Sequence, residues 1–421
     1  MDSRRLPDLP PAGDRAATRA WVAAHLGGLT AEGPDGVRAS PRFAGGQDAA
    51  DAALAAYDVA GYARRRNEVW PPERRGASGL SPYIRHGLLP LPRVWAHVEG
   101  GPAADVRKFR DELLWQEYAR HLYARLGPRT GRALRTEPPG RGGDTAWPEP
   151  WPREMACMDL TVGELERDGW LVNQTRMWLA SQWVVRAGHP WRAGEDRFFT
   201  HLLDGSRAAN RLGWQWTVGA ASKPYGFSRW QVEKRAPGLC DGCALRTRCP
   251  IQAWPPERRG APAHDPPDAL RGDPDLPATA GPDTPRLDHD RAPELVWLTA
   301  ESLGRDDPAL AAHPGLPALF VFDRARLARW RLSGKRLTFL AETLAGLAAE
   351  RPLEAWLGDP GEVLEGRAVA ATFTPVPGWR ALARRIAPAA VHPWPWLVPP
   401  HDGRLQSYSA WRRAAKQPAA R

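Results

Sequence analysis

Apolar residues recur at helical spacing through the first two thirds of the chain and at strand spacing through the last third. The spacing predicts helices over Ala16–Leu26 and over Ala49–Asn67, where Ala53, Leu54, Tyr57, Val59, Ala60 and Tyr62 recur. Asp105–Leu126 is the strongest helical stretch. Phe109, Leu113, Gln116 and Arg120 share one of its faces, and Glu112, Trp115, Tyr118 and Leu122 lie near another. Further helices are expected over Asp159–Leu165, Trp170–Ala187 and Phe198–Leu203. On the second of these, Asn173, Arg176, Met177 and Ala180 form one stripe, and mixed polar and apolar groups there suit a ligand wall better than a plain core. Asp204-Gly205 turns the chain. Ala208-Ala-Asn210 then opens a helix with small side chains, which lets a large flat ligand approach.

After residue 294 the period changes. Leu295–Thr299, Ala318–Phe322, Leu353–Leu357 and Ala368–Phe373 predict short strands, with helices over Lys335–Ala349 and Gly361–Glu365 between them. Alternation of strand and helix implies a parallel sheet with crossover helices. No Gly-x-Gly-x-x-Gly follows a strand, so a standard dinucleotide site is not expected. Residues 255–293 hold ten prolines and little apolar periodicity, the signature of a linker. The predicted fold class is α plus α/β. An arm (1–40) leads into a mostly helical domain (41–254), and the linker (255–293) leads into a smaller Rossmann-like domain (294–417).

Composition adds three constraints. A chain of 421 residues favours two cores over one. The formal charge of +10 fits a polyanionic partner, nucleic acid first, and fits an arginine-rich, high-GC genome equally well. The 21 tryptophans serve packing at most sites, and also suit aromatic ligands or electron transfer. No run of 18 apolar residues is present, and Arg4-Arg5 precedes Leu-Pro-Asp-Leu-Pro-Pro rather than an apolar segment. A cytoplasmic protein without a membrane span is the expectation.

Three of the four cysteines sit in Cys240-x2-Cys243-x5-Cys249, and Cys157 lies far upstream. In a chain read as cytoplasmic this pattern points to a metal rather than to disulfides. Four thiolates suit a [4Fe-4S] cluster or a structural zinc. The unpaired Cys157 and the proline after Cys249 favour iron–sulfur. Gly76–Tyr83 carries serines and glycines that suit a phosphate, but taken alone the stretch reads better as a helix start with Ser81 as cap before Pro82. The octapeptide WPPERRGA occurs at 70–77 and again at 254–261, and two copies do not make a repeat architecture.

Taken together, five motifs resemble the photolyase/cryptochrome family over nearly the whole chain. They are Phe43-Ala-Gly-Gly, Leu80-Ser-Pro-Tyr83, Glu112-Leu-Leu-Trp-Gln-Glu117, Gly169–Met177 and Asp204-Gly through Gly213-Trp-Gln-Trp216. Ser222-Lys-Pro-Tyr225 followed by the cysteines is similar to the bacterial branch that carries an iron–sulfur cluster. Leu295-Val-Trp-Leu, Asp306-Asp-Pro-Ala-Leu310 and Phe320-Val-Phe-Asp323 resemble that family's amino-terminal antenna domain, here placed last, as in a circular permutation. Residues 255–293 would be the new joint.

The resemblance implies FAD in the helical domain and UV-damaged DNA as partner, with a monomeric chain as the expectation. By position, Ser78, Leu80 and Ser81 would contact the phosphates and ribityl chain. Asn173, Arg176, Asp204 and Asn210 would lie along the isoalloxazine, with Arg176 and Asp204 as a buried ion pair. Glu112, Trp115 and Met177 would line the lesion pocket. Trp214 and Trp191 would begin an electron-transfer chain, with Trp147 or Trp151 third. Cys157, Cys240, Cys243 and Cys249 would hold the cluster. The implied activity is a light-driven DNA photolyase that repairs UV pyrimidine dimers by electron transfer from reduced flavin. The alternative is a cryptochrome-like blue-light photoreceptor that photoreduces FAD without repair. Four positions depart from the family pattern: Ala77, Phe109, Gln116 and Ser206. The short antenna-type domain leaves an antenna chromophore open.

Overall fold

The computed structural model describes residues 3–138, 149–220, 223–255, 260–263 and 265–415. Its helical part is built around the helix Ala103–Leu126, which starts after Pro102 and stops at Gly127. Its apolar positions Phe109, Leu113, Tyr118 and Leu122 enter one core with Leu80, Ile84, Val94 and Trp170. A second core gathers Met158, Leu165, Trp178, Phe198, Trp214 and Phe227 from the helices Ala156–Asp168, Asn173–Ser181, Trp191–His201 and Ala209–Val218 and the segment after them. Gly169 ends the first of those four helices with φ +70°, and a Cβ there would lie 2.9 Å from the His201 carbonyl oxygen. That close approach brings Trp170 beside the turn at Asp204.

Two predicted helices are interrupted. Ala49–Asn67 is a helix only over Gln47–Ala55, followed by a short turn of helix at Tyr62–Arg65. The break lies at Gly61, with φ 80°, where the Asp105 carboxylate accepts from the Gly61 and Ala63 amides. Trp170–Ala187 begins helically only at Asn173 and loosens into a π-helix over Gln182–Arg186.

The last third forms the sheet that the alternation predicts, with three strands more. They are β1 (Arg4–Arg5), β2 (Arg286–Leu287), β3 (Leu295–Leu298), β4 (Ala318–Asp323), β5 (Leu353–Gly358), β6 (Val369–Thr372) and β7 (Ala390–His392), in the order β1-β5-β4-β3-β6-β7-β2. The central five are parallel, and the two edges are antiparallel. Both faces of the sheet are covered, as parallel strands require. Val296, Leu298, Phe320 and Phe322 pack one face against Leu337, Leu340 and Leu344, while Leu295, Trp297, Leu319 and Val321 pack the other against Trp379.

The segments read as an arm and a linker supply the two edge strands. The segment 1–40 supplies β1 and the helix Arg15–Leu26, which packs on the helix Gly334–Ala348. The segment 255–293 supplies β2. Both strands are two residues long, too short for periodicity to reveal. The chain's last residues return to the helical part. Leu397, Val398, Leu405 and Trp411 are buried in the first core, and the Glu117 carboxylate accepts from the Leu397 and Val398 amides at 2.7 and 2.9 Å. Gly45, from the Phe43-Ala-Gly-Gly motif, lies against the sheet's long helix, where a Cβ would meet the Phe339 carbonyl at 2.1 Å. No described helix is long and apolar enough to cross a membrane.

Candidate functional site: a basic cavity between helices and sheet

A cavity of about 1380 Å³ runs from the helical part to the carboxyl ends of β3 and β4. Of the residues expected to hold a cofactor, Ser78, Ser81, Asn173, Arg176, Asp204 and Asn210 line it. Leu80 does not line it, because its side chain is fully buried in the helical core. Only its backbone is near, with the amide 3.3 Å from the Ser78 hydroxyl oxygen. The Ser81 hydroxyl accepts from the Trp170 indole N–H at 3.0 Å, so its own proton is free to donate.

Arg176, Asp204 and Asn210 form one unit. Arg176 donates to both carboxylate oxygens of Asp204, at 2.6 and 3.1 Å, and to Asn210 Oδ1 at 2.7 Å. Asn210 Nδ2 donates to the Asp204 carbonyl at 3.0 Å. These bonds fix the asparagine amide in one orientation and leave one of its two N–H bonds for the cavity. Small residues make this possible, since Ala208 and Ala209 open the helix that carries Asn210. The Ser206 oxygen accepts from the Ala209 amide at 3.1 Å, so this departure from the family pattern serves as a helix-start contact.

Around this unit the wall is strongly basic. Arg85, Arg120, Arg207, Arg211 and Arg336 line it together with Glu301 and Asp323. Arg336 is wholly buried, which pushes its guanidinium down to about 9. It donates to the Gly205 carbonyl at 2.9 Å and to the Phe199 carbonyl. Arg207 and Arg211 converge on the buried carboxylate of Glu195. Thr299, Glu301, Asp323, Arg326 and Arg336, all from the sheet side, were not anticipated. The carboxyl ends of parallel strands where the strand order reverses, between β3 and β6, are where α/β sheets place ligands, and the predicted strands carried that signal.

Glu112, Trp115 and Met177 line the same cavity, as does Gln116. Glu112 is held by Lys108 at 2.8 Å and by Arg66 at 3.4 Å. Trp214 also lines it and is otherwise buried. Its ring lies edge-to-face with Phe198 at 5.1 Å, and its indole N–H has no hydrogen-bond partner. Trp191 is buried in the same core but does not reach the cavity. Trp151 packs against Trp183 at 4.8 Å and against Phe198 at 6.0 Å. Trp147 lies outside the described residues.

The four cysteines share one neighbourhood on the far side of the second core, where Cys157 is buried and Cys240 and Cys249 pack against it. Burial, then the proximity of Cys240, Cys249 and Cys243, pushes the Cys157 thiol up, and burial raises Cys240 to about 11. Arg186 lies beside Cys249 and Cys157. Among the described residues, no group of three or more Cys, His, Asp or Glu is gathered tightly enough to hold a single metal ion.

Residues 109–234 match the family described as the FAD binding domain of DNA photolyase. The chain is similar to the deoxyribodipyrimidine photo-lyase of Thermus thermophilus, with 34% identity over 189 residues, 43% of this chain and 44% of that protein. It is similar also to the deoxyribodipyrimidine photo-lyase of a Synechococcus species, with 29% identity over 192 residues, 42% of this chain and 38% of that one. Among solved structures it resembles a class III photolyase from Agrobacterium tumefaciens at 28% identity, over 45% of this chain and 42% of that one, with a TM-score of 0.39. The chain thus spans less than half the length of these relatives.

Proposed function

We infer that this chain, which belongs to the photolyase/cryptochrome family through its FAD-binding region, is a light-driven DNA photolyase acting on UV pyrimidine dimers. The observation that carries this reading is the joint placement of the Arg176–Asp204–Asn210 unit and of Glu112, Trp115 and Met177 on one cavity. The relatives described above are named as photo-lyases, which favours repair over a photoreceptor role.

The cavity fits FAD by chemistry. Ser78 and Ser81 offer hydroxyls at one end, and Asp204 and Asn210 offer fixed polar atoms at another. Trp214 lines the same space with part of its ring. When bound, reduced FAD would supply the electron that, on illumination, splits the dimer. The protein's own contribution is position and field. Asp204 neutralises Arg176, so the pair holds Asn210 without adding net charge. The exposed arginines of the lining, Arg132, Arg326 and Arg329, would attract the phosphates of a damaged strand whose dimer is flipped out of the duplex. Glu112 offers a carboxylate oxygen to a base N–H, and Trp115 offers a flat face for stacking.

The four thiols are proposed as ligands of a [4Fe-4S] cluster. The support is the Cys-x2-Cys-x5-Cys spacing with the proline after Cys249, and the proximity of Cys240, Cys249 and Cys243 to the buried Cys157. The order of the parts, with the FAD-binding region before the sheet, is proposed as a circular permutation. Its support is that the first residues pair with the sheet and the last residues enter the helical core.

The test is repair of a dimer-containing oligonucleotide by FAD-loaded, reduced protein under blue light. Light-dependent loss of the dimer is expected. Photoreduction of the flavin with no loss of dimer would favour the photoreceptor instead.

A further inference from the structure

We propose that Tyr408, on the short helix Tyr408–Ala414 near the end of the chain, is a positioning residue for Trp115 and Glu112 in the wall that receives a substrate base. The inference rests on the photolyase reading above and adds a residue to it.

The rings of Trp115 and Tyr408 are stacked, with centroids 4.3 Å apart and planes 9° from parallel. Trp115 lines the cavity and Tyr408 does not. The tyrosine therefore occupies one face of the indole and backs it, while the indole remains part of the cavity wall. An aromatic wall discriminates a flat base only if its plane is fixed. The stack on Tyr408, with the edge contact of Tyr118 at 5.8 Å, holds the plane of the Trp115 indole.

The phenol does a second job. Tyr408 donates to Asp111 Oδ1 at 2.5 Å. Lys108 bridges Asp111 at 3.2 Å and Glu112 at 2.8 Å. The chain of contacts Tyr408–Asp111–Lys108–Glu112 ties the carboxylate and the indole to one anchor. Burial and the nearby Asp111 carboxylate push the Tyr408 hydroxyl well above its ordinary range, so it remains a donor at neutral pH.

The anchor itself is held firmly. Ser407 caps the short helix through the Ala410 amide at 3.1 Å. Trp411 is fully buried and donates to His121 Nδ1 at 2.9 Å, and Tyr118 donates to the Leu405 carbonyl at 2.8 Å. A segment far from residue 115 in sequence thus sets the geometry of the base-receiving wall.

The test compares binding of a dimer-containing duplex with binding of the same undamaged duplex, by FAD-loaded wild type, Tyr408→Phe and Tyr408→Leu. The phenylalanine keeps the flat ring, and the leucine fills space without one. Tyr408→Leu is expected to lower the preference for damaged DNA by roughly 5-fold or more, the lower end of what one base–aromatic stack contributes, with affinity for undamaged duplex unchanged. Tyr408→Phe should retain most of the preference. Asp111→Ala, which frees the phenol without touching the rings, should lower it by about 2- to 5-fold, the range for one charge-assisted hydrogen bond on the surface; it keeps the test open if the leucine variant does not fold. If wild type shows no preference, the photolyase reading fails. If wild type shows it and Tyr408→Leu or, failing that, Asp111→Ala retains it in full, the role of Tyr408 is overturned.

Discussion

Arg176 grips Asp204 through both terminal nitrogens, at 2.6 and 3.1 Å, with the carboxylate almost wholly buried and the guanidinium largely so. Removing one partner leaves the other charge without compensation in a region of low polarity. Asp204→Ala is therefore expected to destabilise the protein by about 3–5 kcal/mol and to lower flavin retention, because Arg176, no longer gripped by the carboxylate, loosens its hold on Asn210 Oδ1, while the Asp204 main-chain carbonyl still accepts from Asn210 Nδ2. Arg176→Lys keeps the charge but not the fork, so it should fold and purify with reduced FAD. Thermal unfolding together with the flavin absorbance of purified protein reads both effects.

Gly194 makes the opposite kind of prediction. It lies within the helix Trp191–His201, where alanine is ordinarily the better helix former by about 1 kcal/mol. Here a Cβ would come 2.2 Å from Cη2 of Trp214 and 2.9 Å from the Trp183 ring. Overpacking of that kind costs about 1–3 kcal/mol. Gly194→Ala should thus lower the unfolding midpoint and, by displacing the Trp214 ring, slow flavin photoreduction. A gain in stability would mean that the indole is free to move.

Much of this was legible in the sequence, for reasons that differ by element. The strands β3, β4 and β6 are nearly continuous apolar runs because both sheet faces are covered, and such runs are readable without knowing their partners. The stripe Asn173, Arg176, Met177 was readable because one helix face cannot mix such groups unless it meets a ligand or a partner. The ion pair of Arg176 with Asp204 came from resemblance, since nothing local to either residue names the other. The strands β1 and β2 were not legible because Arg4-Arg5 and Arg286-Leu287 are two residues long and carry no alternation. Ser407-Tyr-Ser-Ala-Trp411 resembles the closing segment of the family's antenna-type domain, and that resemblance gives Tyr408 no role. Its stack on Trp115 joins positions nearly three hundred residues apart, and no pattern in one sequence measures such a distance.

The cysteines can be tested apart from the flavin. None of the four lines the cavity, and their neighbours Glu154 and Arg186 do not either. Cys249→Ser is therefore expected to remove iron and acid-labile sulfide while leaving FAD content close to that of wild type. It should also weaken the tie between the helix Ala156–Asp168 and the 239–249 segment, seen as faster proteolysis there. Wild-type protein with zinc and no iron would reject the cluster assignment and leave the cavity argument intact.

Glu117 gives a pH dependence whose sign follows from burial. Its carboxyl is completely enclosed, which raises it from 4.5 to about 7 against the opposing pull of the Val398 amide, the Arg120 charge and the Leu397 amide. The folded state thus holds the proton more tightly than the unfolded chain does. Its stabilising contribution is complete below about pH 4.5 and is lost as pH rises through about 7. The size is on the order of 3 kcal/mol for a shift of this extent in a fully buried group. Glu117→Gln carries a permanently neutral amide whose oxygen can still accept from Leu397 and Val398. Chemical denaturation at pH 5 and pH 7.5 should show wild type losing stability across this interval relative to the variant, other groups being common to both. Because Glu117 clasps the same carboxy-terminal segment that carries Tyr408, the loss should be accompanied by weaker protection of residues 397–411 from amide exchange at the higher pH. Equal slopes for the two proteins would mean that the carboxylate is already ionised in the fold.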